Sequence, residues 1–503
     1  MKQNTILLNW DSDAEWFFME SLDGNYENLE EKAKDFLEKY YKDSGIGDIL
    51  FNIFGQNSVT PSKVFTDRAS KYYQKLENGI AVDYSGESRL KCHKISREDY
   101  GVGITETWIE HCKKIGIRPW LSVRMNDNHY AKEKTGWIRS DFFYEAKKNG
   151  WMLGERYNSS SVNWNYAIPE VQQKMLDYIE EQLLAIDVFG IELDFMREPM
   201  CLDYYGDKNV CLYMNGFIEK VRATVDRCAE HHGHKIKIAV RLPRDIKLSK
   251  RIGFDAEYWA KNSLVDAVVP SSHWLGADSG MPIAEWCEKL SPYGVEIYPC
   301  LEMNLPLGLH IDAETAKAHT VQYADQGGDA TYIYNLYHVH FEYLKEAGIW
   351  FDCPSAEEIM DTWRSCGDID NCRKGVRRHL VTEESLGFHK LVPRWNPLPK
   401  KISFGLGVEV QTGNISDDSD VTLFVGIKGQ KNDNVRAFFN ANECKYLGKG
   451  LDAFALKNPY VKCEEIFAFS VPKACAEPLT QVVAISGDRD AEVYYVELKI
   501  NAK

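Results

Sequence analysis

The sequence predicts an α/β chain, a (β/α)8 TIM barrel followed by a small all-β sandwich domain. Three observations carry this expectation. From the N-terminus to about residue 350, short apolar runs alternate with helix-period stretches, the pattern of repeated βα units on a parallel sheet. Eight such runs can be counted, the number that a closed barrel needs. Beyond about residue 400 the texture changes to short β-branched and aromatic segments broken by turn residues.

The predicted barrel strands are Thr5–Asn9, Asp48–Ile53, Arg118–Val123, Phe189–Phe195, Lys235–Arg241, Val265–Pro270, Val295–Leu301 and Ala330–Asn335. Ahead of the fourth, Glu170–Leu184 sets Val171, Leu176, Ile179 and Leu183 at helical spacing behind a Pro169 suited to a first helical turn. A second helix, Tyr213–His231, joins the fourth strand to the fifth. A doubly wound open sheet is the rival, but it usually carries a glycine-rich turn after its first strand, and here that turn reads NWDSDAEW. Two insertions, Phe54 to Ser96 and Asn126 to Asn163, follow the second and third strands. In a barrel they overlie the strand C-termini, where ligands bind. The expected organisation is a barrel over residues 1–350, then a helix (Ala356–Ser365) and a proline-bearing linker over 351–400, then a sandwich over 401–503. The sandwich strands are Asp420–Ile427, Val435–Asn440, Glu465–Val471, Thr480–Ile485 and Glu492–Ile500.

Composition narrows the partners. The 503 residues carry a formal net charge of −15, which argues against nucleic acid or an anionic membrane surface and for a small ligand. The start, MKQNTILLNWDSD, holds only a short apolar run, so neither an export signal nor a membrane span is expected. Thirteen cysteines without a CxxC pair point to reduced, mostly buried thiols and a cytoplasmic location, not to zinc or disulfides.

Barrel chemistry comes from the C-terminal ends of several strands, so the residues after each apolar run are the candidates. They are Asn9, Asp11, Asn52, Gln56, Arg124, Asn126, Asp127, His129, Glu192, Asp194, Arg197, Arg241, Arg244, Ser271, His273, Trp274, Glu302, Asn304, Asn335, Tyr337 and His338, with Asn163 joining from the second insertion. Carboxylates, amides, guanidiniums and indoles together suit a polyhydroxylated ligand, whose hydroxyls need donors and acceptors and whose apolar face stacks on aromatic rings. Asp194 and Glu302, ending the fourth and seventh strands, form the expected catalytic pair, because glycosidic cleavage needs two carboxyl groups at one bond. Arg197 or Arg241 would keep Asp194 ionised, and Glu302 is the expected acid/base. Glu192, one pleat deeper, reads as a buried anchor for an arginine. No cofactor is required by this chemistry. HVHFE at His338–Glu342 supports a rival, a metal-dependent hydrolase or lyase using His338 and His340; a non-catalytic sugar-binding barrel is the other. HHGH at His231–His234 reads as a solvated turn.

The run NYAIPEVQQKMLDYIEEQLLAIDVFGIELDFMRE resembles the family-ten-like glycosylhydrolase barrels of the glycoside-hydrolase-like group, in which a PEV helix leads into a DGIxLDxxR strand. FDAEYWAKNSLVDAVVPSSHW is similar to the segment leading into the sixth strand of the same proteins. The likeness spans roughly residues 100–350. It implies a (β/α)8 barrel acting on glycosides, often followed by a β-sandwich. Barrels of the wider clan place glutamates at the ends of strands four and seven; this sequence matches at Glu302 but has the shorter Asp194 at the other. That leaves open a deeper sugar, an inverting water, or completion of the pair by Asp127. The expected substrate is a small glycoside or oligosaccharide. The β domain is expected to bind sugar, cover the barrel or build a homo-oligomer interface, and the sequence does not separate these.

Overall fold

The computed structural model describes residues 6–70, 73–75, 81–127, 129, 136–153, 163–272, 277–302, 311–334, 355–381, 407–431, 434–450, 452–457, 463–488 and 491–503. The chain divides into two compact bodies, one made of Leu7–Ser271 and Glu288–Ile297, the other of Met1–Ile6, Ser272–Cys287 and Tyr298–Lys503.

The first body is built on a sheet whose strands run in the order β1 (Ile6–Trp10), β2 (Ile46–Phe54), β3 (Arg118–Arg124), β4 (Gly190–Asp194), β5 (Lys237–Pro243), β6 (Ala267–Ser271) and β7 (Glu296–Ile297). From β2 to β7 each neighbouring pair is parallel. Helices Pro169–Ala185 and Val210–His232 stand where their periodicity predicts them. Pro169 occupies the first turn of one, and Gly233, in the left-handed conformation at φ 76°, ends the other inside HHGH. Just beyond, His234 Nε2 lies 2.6 Å from Asp187 on the surface, a solvated turn as expected.

Registers show why β4 alternates carboxylates with apolar residues. Ile191 and Leu193 lie level with Leu121 and Val123 of β3 and with Ile238 and Val240 of β5, all fully buried. On this face Trp10 stacks on Trp108 of the helix Ile104–Lys114 at 4.8 Å and packs on Phe51 at 5.2 Å. The opposite face carries three rows: Trp120, Gly190 and Lys237; Ser122, Glu192 and Ala239; Arg124, Asp194 and Arg241. The sheet is therefore buried on both sides, as parallel sheets are, and its polar groups gather at the strand C-termini.

In the second body β8 (Cys300–Glu302) pairs in parallel with β9 (Thr331–Tyr334). The single seventh strand expected from Val295 to Leu301 is thus two pieces, β7 and β8. Pro299 lies between them and has no N–H to give a ladder, although its carbonyl still accepts from Tyr332 N at 3.0 Å. The C-terminal segments form two antiparallel sheets. One joins β10 (Gly375–Leu380), β18 (Glu492–Ala502), β12 (Asp420–Lys428), β16 (Glu465–Ser470) and β15 (Lys445–Lys449), in that order. The other joins β11 (Gly407–Gln411), β17 (Thr480–Ser486), β13 (Arg436–Phe439) and β14 (Asn442–Glu443). β10 falls inside the stretch expected to be helix and linker. Its sequence, GVRRHL, has no apolar alternation to announce a strand, yet it pairs with β18 along its whole length. The helix Ala356–Cys366 precedes it as expected, while the proline-bearing run lies outside the described residues.

Gly190 is the tightest point of the polar face. A Cβ there would stand 2.2 Å from the Trp120 ring, itself held by a hydrogen bond from its Nε1 to Asp48 at 2.9 Å. Gly190→Ala is expected to lower unfolding free energy by about 1–3 kcal/mol in a denaturant titration. An unchanged midpoint would mean that the Trp120 ring is free to move.

Candidate active site at the C-terminal edge of the parallel sheet

The sequence-predicted residues of the first body converge where β1, β3, β4 and β5 end. Arg124, Asp194 and Arg241 are direct register partners on three adjacent strands; the Asp194 carboxylate pairs with Arg241, while Arg124 turns to Asp11 and Asp127. Arg241 Nη1 lies 3.2 and 3.3 Å from the two oxygens of Asp194, with neither side chain exposed. Asp194 Oδ1 also accepts the backbone N–H groups of Met196 at 2.8 Å and Arg197 at 3.2 Å. Among the described residues its Oδ2 has only the 3.3 Å contact with Arg241. One oxygen anchors the side chain and the other is nearly unengaged.

One pleat deeper, Glu192 Oε2 accepts from Ser122 Oγ at 2.6 Å and from Asn9 Nδ2 at 3.1 Å. Hydrogen bonds from these two neutral groups hold one oxygen of the glutamate.

Beside this row runs a second charged chain. Arg124 pairs with Asp11 and reaches Asp127 Oδ2 at 3.3 Å. Asp127 Oδ1 accepts the backbone N–H of His129 at 2.8 Å and its Nδ1–H at 2.5 Å. The guanidinium of Arg197 approaches His129 Nε2 at 2.5 Å. Because a guanidinium only donates, that nitrogen is the acceptor and the proton sits on Nδ1. Burial disfavours the ionised form of Asp11, but the charge of Arg124, the Asp13 backbone N–H at 2.9 Å and the Arg124 hydrogen bond hold its carboxyl well below the usual range. Burial likewise opposes ionisation of Asp127, and the His129 ring with the Arg197 and Arg124 guanidiniums more than offsets it. His129, with 39% of its side chain exposed, is the most accessible member.

The amides serve the scaffold. Asn126 accepts Trp164 N at 2.8 Å and donates to the carbonyls of Trp164 and Met200, both at 3.3 Å. Asn163 donates to Met200 O at 2.7 Å. Asn52 accepts Phe54 N at 3.3 Å where β2 slips register against β3. Gln56, at φ 80°, donates to the Asp127 carbonyl, so a strained backbone position supports the loop that carries Asp127 and His129. The sequence gives no sign of Arg68, which the first insertion buries completely. Its guanidinium donates to Ser12 O and Ser12 Oγ, both at 2.8 Å, and fixes the turn beside Asp11. Ser122 was equally silent, since a serine in a strand carries no chemical signature until its cross-strand neighbour is known.

Glu302 ends β8 of the second body, is 1% exposed and receives a weak contact from Cys300 Sγ at 3.8 Å. His273, Trp274, Asn335, Tyr337 and His338 lie outside the described residues, as does His340.

No family description and no curated protein matches this sequence. Solved structures to which it is similar include glycoside hydrolases. The PgaB (BpsB) glycoside hydrolase domain from Bordetella bronchiseptica is 11% identical over 72% of this chain and 98% of that one, with a TM-score of 0.38. A bacterial fucosidase is 10% identical over 97% of this chain and 93% of its own, at 0.34. A cycloisomaltooligosaccharide glucanotransferase from Paenibacillus sp. is 9% identical over 99% of this chain, at 0.33, and this chain spans 57% of that protein.

Arg124 is shared by two carboxylates whose proton affinity is depressed. Such groups stabilise the fold above the unfolded-chain value of about 3.9, and that contribution is lost as pH falls below it. Arg124→Met is expected to lower stability at neutral pH by about 3–5 kcal/mol and to flatten the fall in stability between about pH 4 and pH 2. Denaturant titrations across that range check it, and a slope equal to wild type contradicts the shared role.

Proposed function

We propose that this chain is a glycoside hydrolase that cleaves a glycosidic bond in a small glycoside or oligosaccharide with two carboxyl groups, Asp194 and Glu302. The observation that carries the reading is the engagement of Asp194. Its Oδ1 is tied to two backbone N–H groups while its Oδ2 stands nearly unengaged beside Arg241. A carboxylate fixed in this way is oriented before substrate arrives, and its charge opposes the positive charge that develops on the sugar ring in the transition state. It serves as nucleophile, or as base toward a water. Glu302 supplies the proton to the leaving oxygen in this reading.

The charged rim adds recognition. Arg197, His129, Asp127, Arg124 and Asp11 offer donors and acceptors in one chain, the set that ring hydroxyls require. Closure of eight βα units into a barrel and face-to-face packing of the two antiparallel sheets as a sandwich are part of the same proposal. So is a reducing, cytoplasmic setting, with which the free thiols of the described cysteines agree. Among the described residues no helix is long and apolar enough to cross a membrane.

The test is a panel of 4-nitrophenyl glycosides with wild type, Asp194→Asn and Glu302→Gln. Wild type is expected to cleave at least one, and each variant to lose roughly 10³-fold or more in kcat/KM. Circular dichroism accompanies the assay, because removing one partner of a buried ion pair costs about 3–5 kcal/mol. Calorimetric sugar binding without product by wild type, or full rate in both folded variants, overturns the proposal.

A further inference from the structure

Far along the chain from these strands, the second body buries a cation that has no ion-pair partner among the described residues. Arg377 and His379 stand two residues apart on β10 and so share a face. Between them, Arg378 turns the other way to Glu497 at 2.6 Å, to Asp452 at 3.2 Å and to Glu314. Arg377 is 1% exposed, yet among the described residues no carboxylate lies within ion-pair distance of it. Its Nε and Nη1 have no hydrogen-bond partner, and its Nη2 reaches only the Asn414 carbonyl at 3.4 Å. The carboxylate whose field acts on it, Asp325, is already engaged by Arg373 at 3.0 Å and by the Asn414 backbone N–H at 2.6 Å. His379 is also 1% exposed; neither of its ring nitrogens makes a hydrogen bond of good geometry, and its nearest polar neighbour is the Gln411 backbone.

We propose that Arg377 and His379 form an enclosed binding site for one small monovalent anion, chloride under cellular conditions. A buried guanidinium without an opposite charge is among the costliest groups a fold can hold, and water would satisfy its N–H groups without cancelling its charge. The charge of the ligand follows from the surroundings. Burial, then the Arg377 charge and His319, outweigh the Gln411 backbone and hold the proton affinity of His379 far below the usual histidine range, so the ring is neutral and carries one N–H. The site therefore presents a single positive charge, which a monovalent ion matches and a sulfate or phosphate exceeds. His319, on the helix Ala313–Asp325, gives its Nδ1 proton to the Thr315 carbonyl at 2.9 Å and adds no charge. Every one of these side chains is nine-tenths or more buried, so the ligand is small and enclosed as the body folds.

Thermal unfolding of the full chain in potassium chloride and in potassium gluconate at equal ionic strength tests this, together with anomalous scattering from crystals soaked in sodium bromide. Chloride is expected to raise Tm by at least ~2 °C over gluconate, a conservative contrast because excluded organic anions stabilise folded chains generally. A bromide peak is expected on the Arg377 guanidinium, and Arg377→Met is expected to lose both the peak and the chloride increment. Equal Tm values in the two salts overturn the proposal. A bromide peak without a chloride-specific shift means an adventitious ion only, and overturns it as well. Should Arg377→Met fail to fold, the wild-type salt comparison and the bromide map decide alone.

Discussion

The first body depends on one constraint: a carboxylate buried at a strand end must be matched by charge on the strands beside it. Register makes the match, setting Asp194 level with Arg241, which pairs with it, while Arg124 on the other side is matched by Asp11 and Asp127. A slip of one residue in β4 would turn Leu193 toward the arginines and Asp194 toward the apolar layer of Ile191 and Leu193 partners. The pairing thus specifies alignment as well as charge. It is weak evidence for stability by itself, since a buried ion pair replaced by well-packed apolar residues is often neutral or stabilising. Buried charge of this kind at the C-terminal edge of a parallel sheet is what the proposed chemistry requires.

Around that row the work is divided by residue type. Amides fasten backbone: Asn126 and Asn163 tie the segments near Trp164 and Met200, and Asn52 and Gln56 shape the exit from β2. Charges are left in two linked chains, one through Arg241 and Asp194, the other from Arg197 through His129 and Asp127 to Arg124 and Asp11. The first insertion contributes Arg68 from below, so a long loop that looks like decoration supports the turn that holds Asp11.

Much of this was legible in the sequence because strand alternation is a physical signal. β1 to β6 fall within two residues of their predicted C-terminal limits, since each joins an apolar run to a polar end. The division of the seventh strand at Pro299 was open to the same reasoning, through the missing N–H, but an apolar run masked it. β10 was not legible: Arg377, Arg378 and His379 in succession resemble a loop, and only β18 beside them makes a strand of GVRRHL. At the site, Asp11, Asp127, Asp194, Arg124, Arg197, Arg241 and His129 could be listed from strand ends. Their partners could not, because which arginine meets which aspartate is decided by register and loop path. Glu192 shows the limit: that Asn9 and Ser122 reach its Oε2 could not be told from the sequence.

The central claim is that the nearly unengaged oxygen of Asp194 faces the sugar, and a crystal structure of the Glu302→Gln protein with an oligosaccharide cleaved by wild type tests it most directly. The account predicts a sugar ring whose anomeric carbon, or a water beside it, lies within about 3.5 Å of Asp194 Oδ2, with ring hydroxyls bonded to members of the Arg197-to-Asp11 chain. A sugar bound elsewhere, with no atom in contact with Asp194, would contradict it.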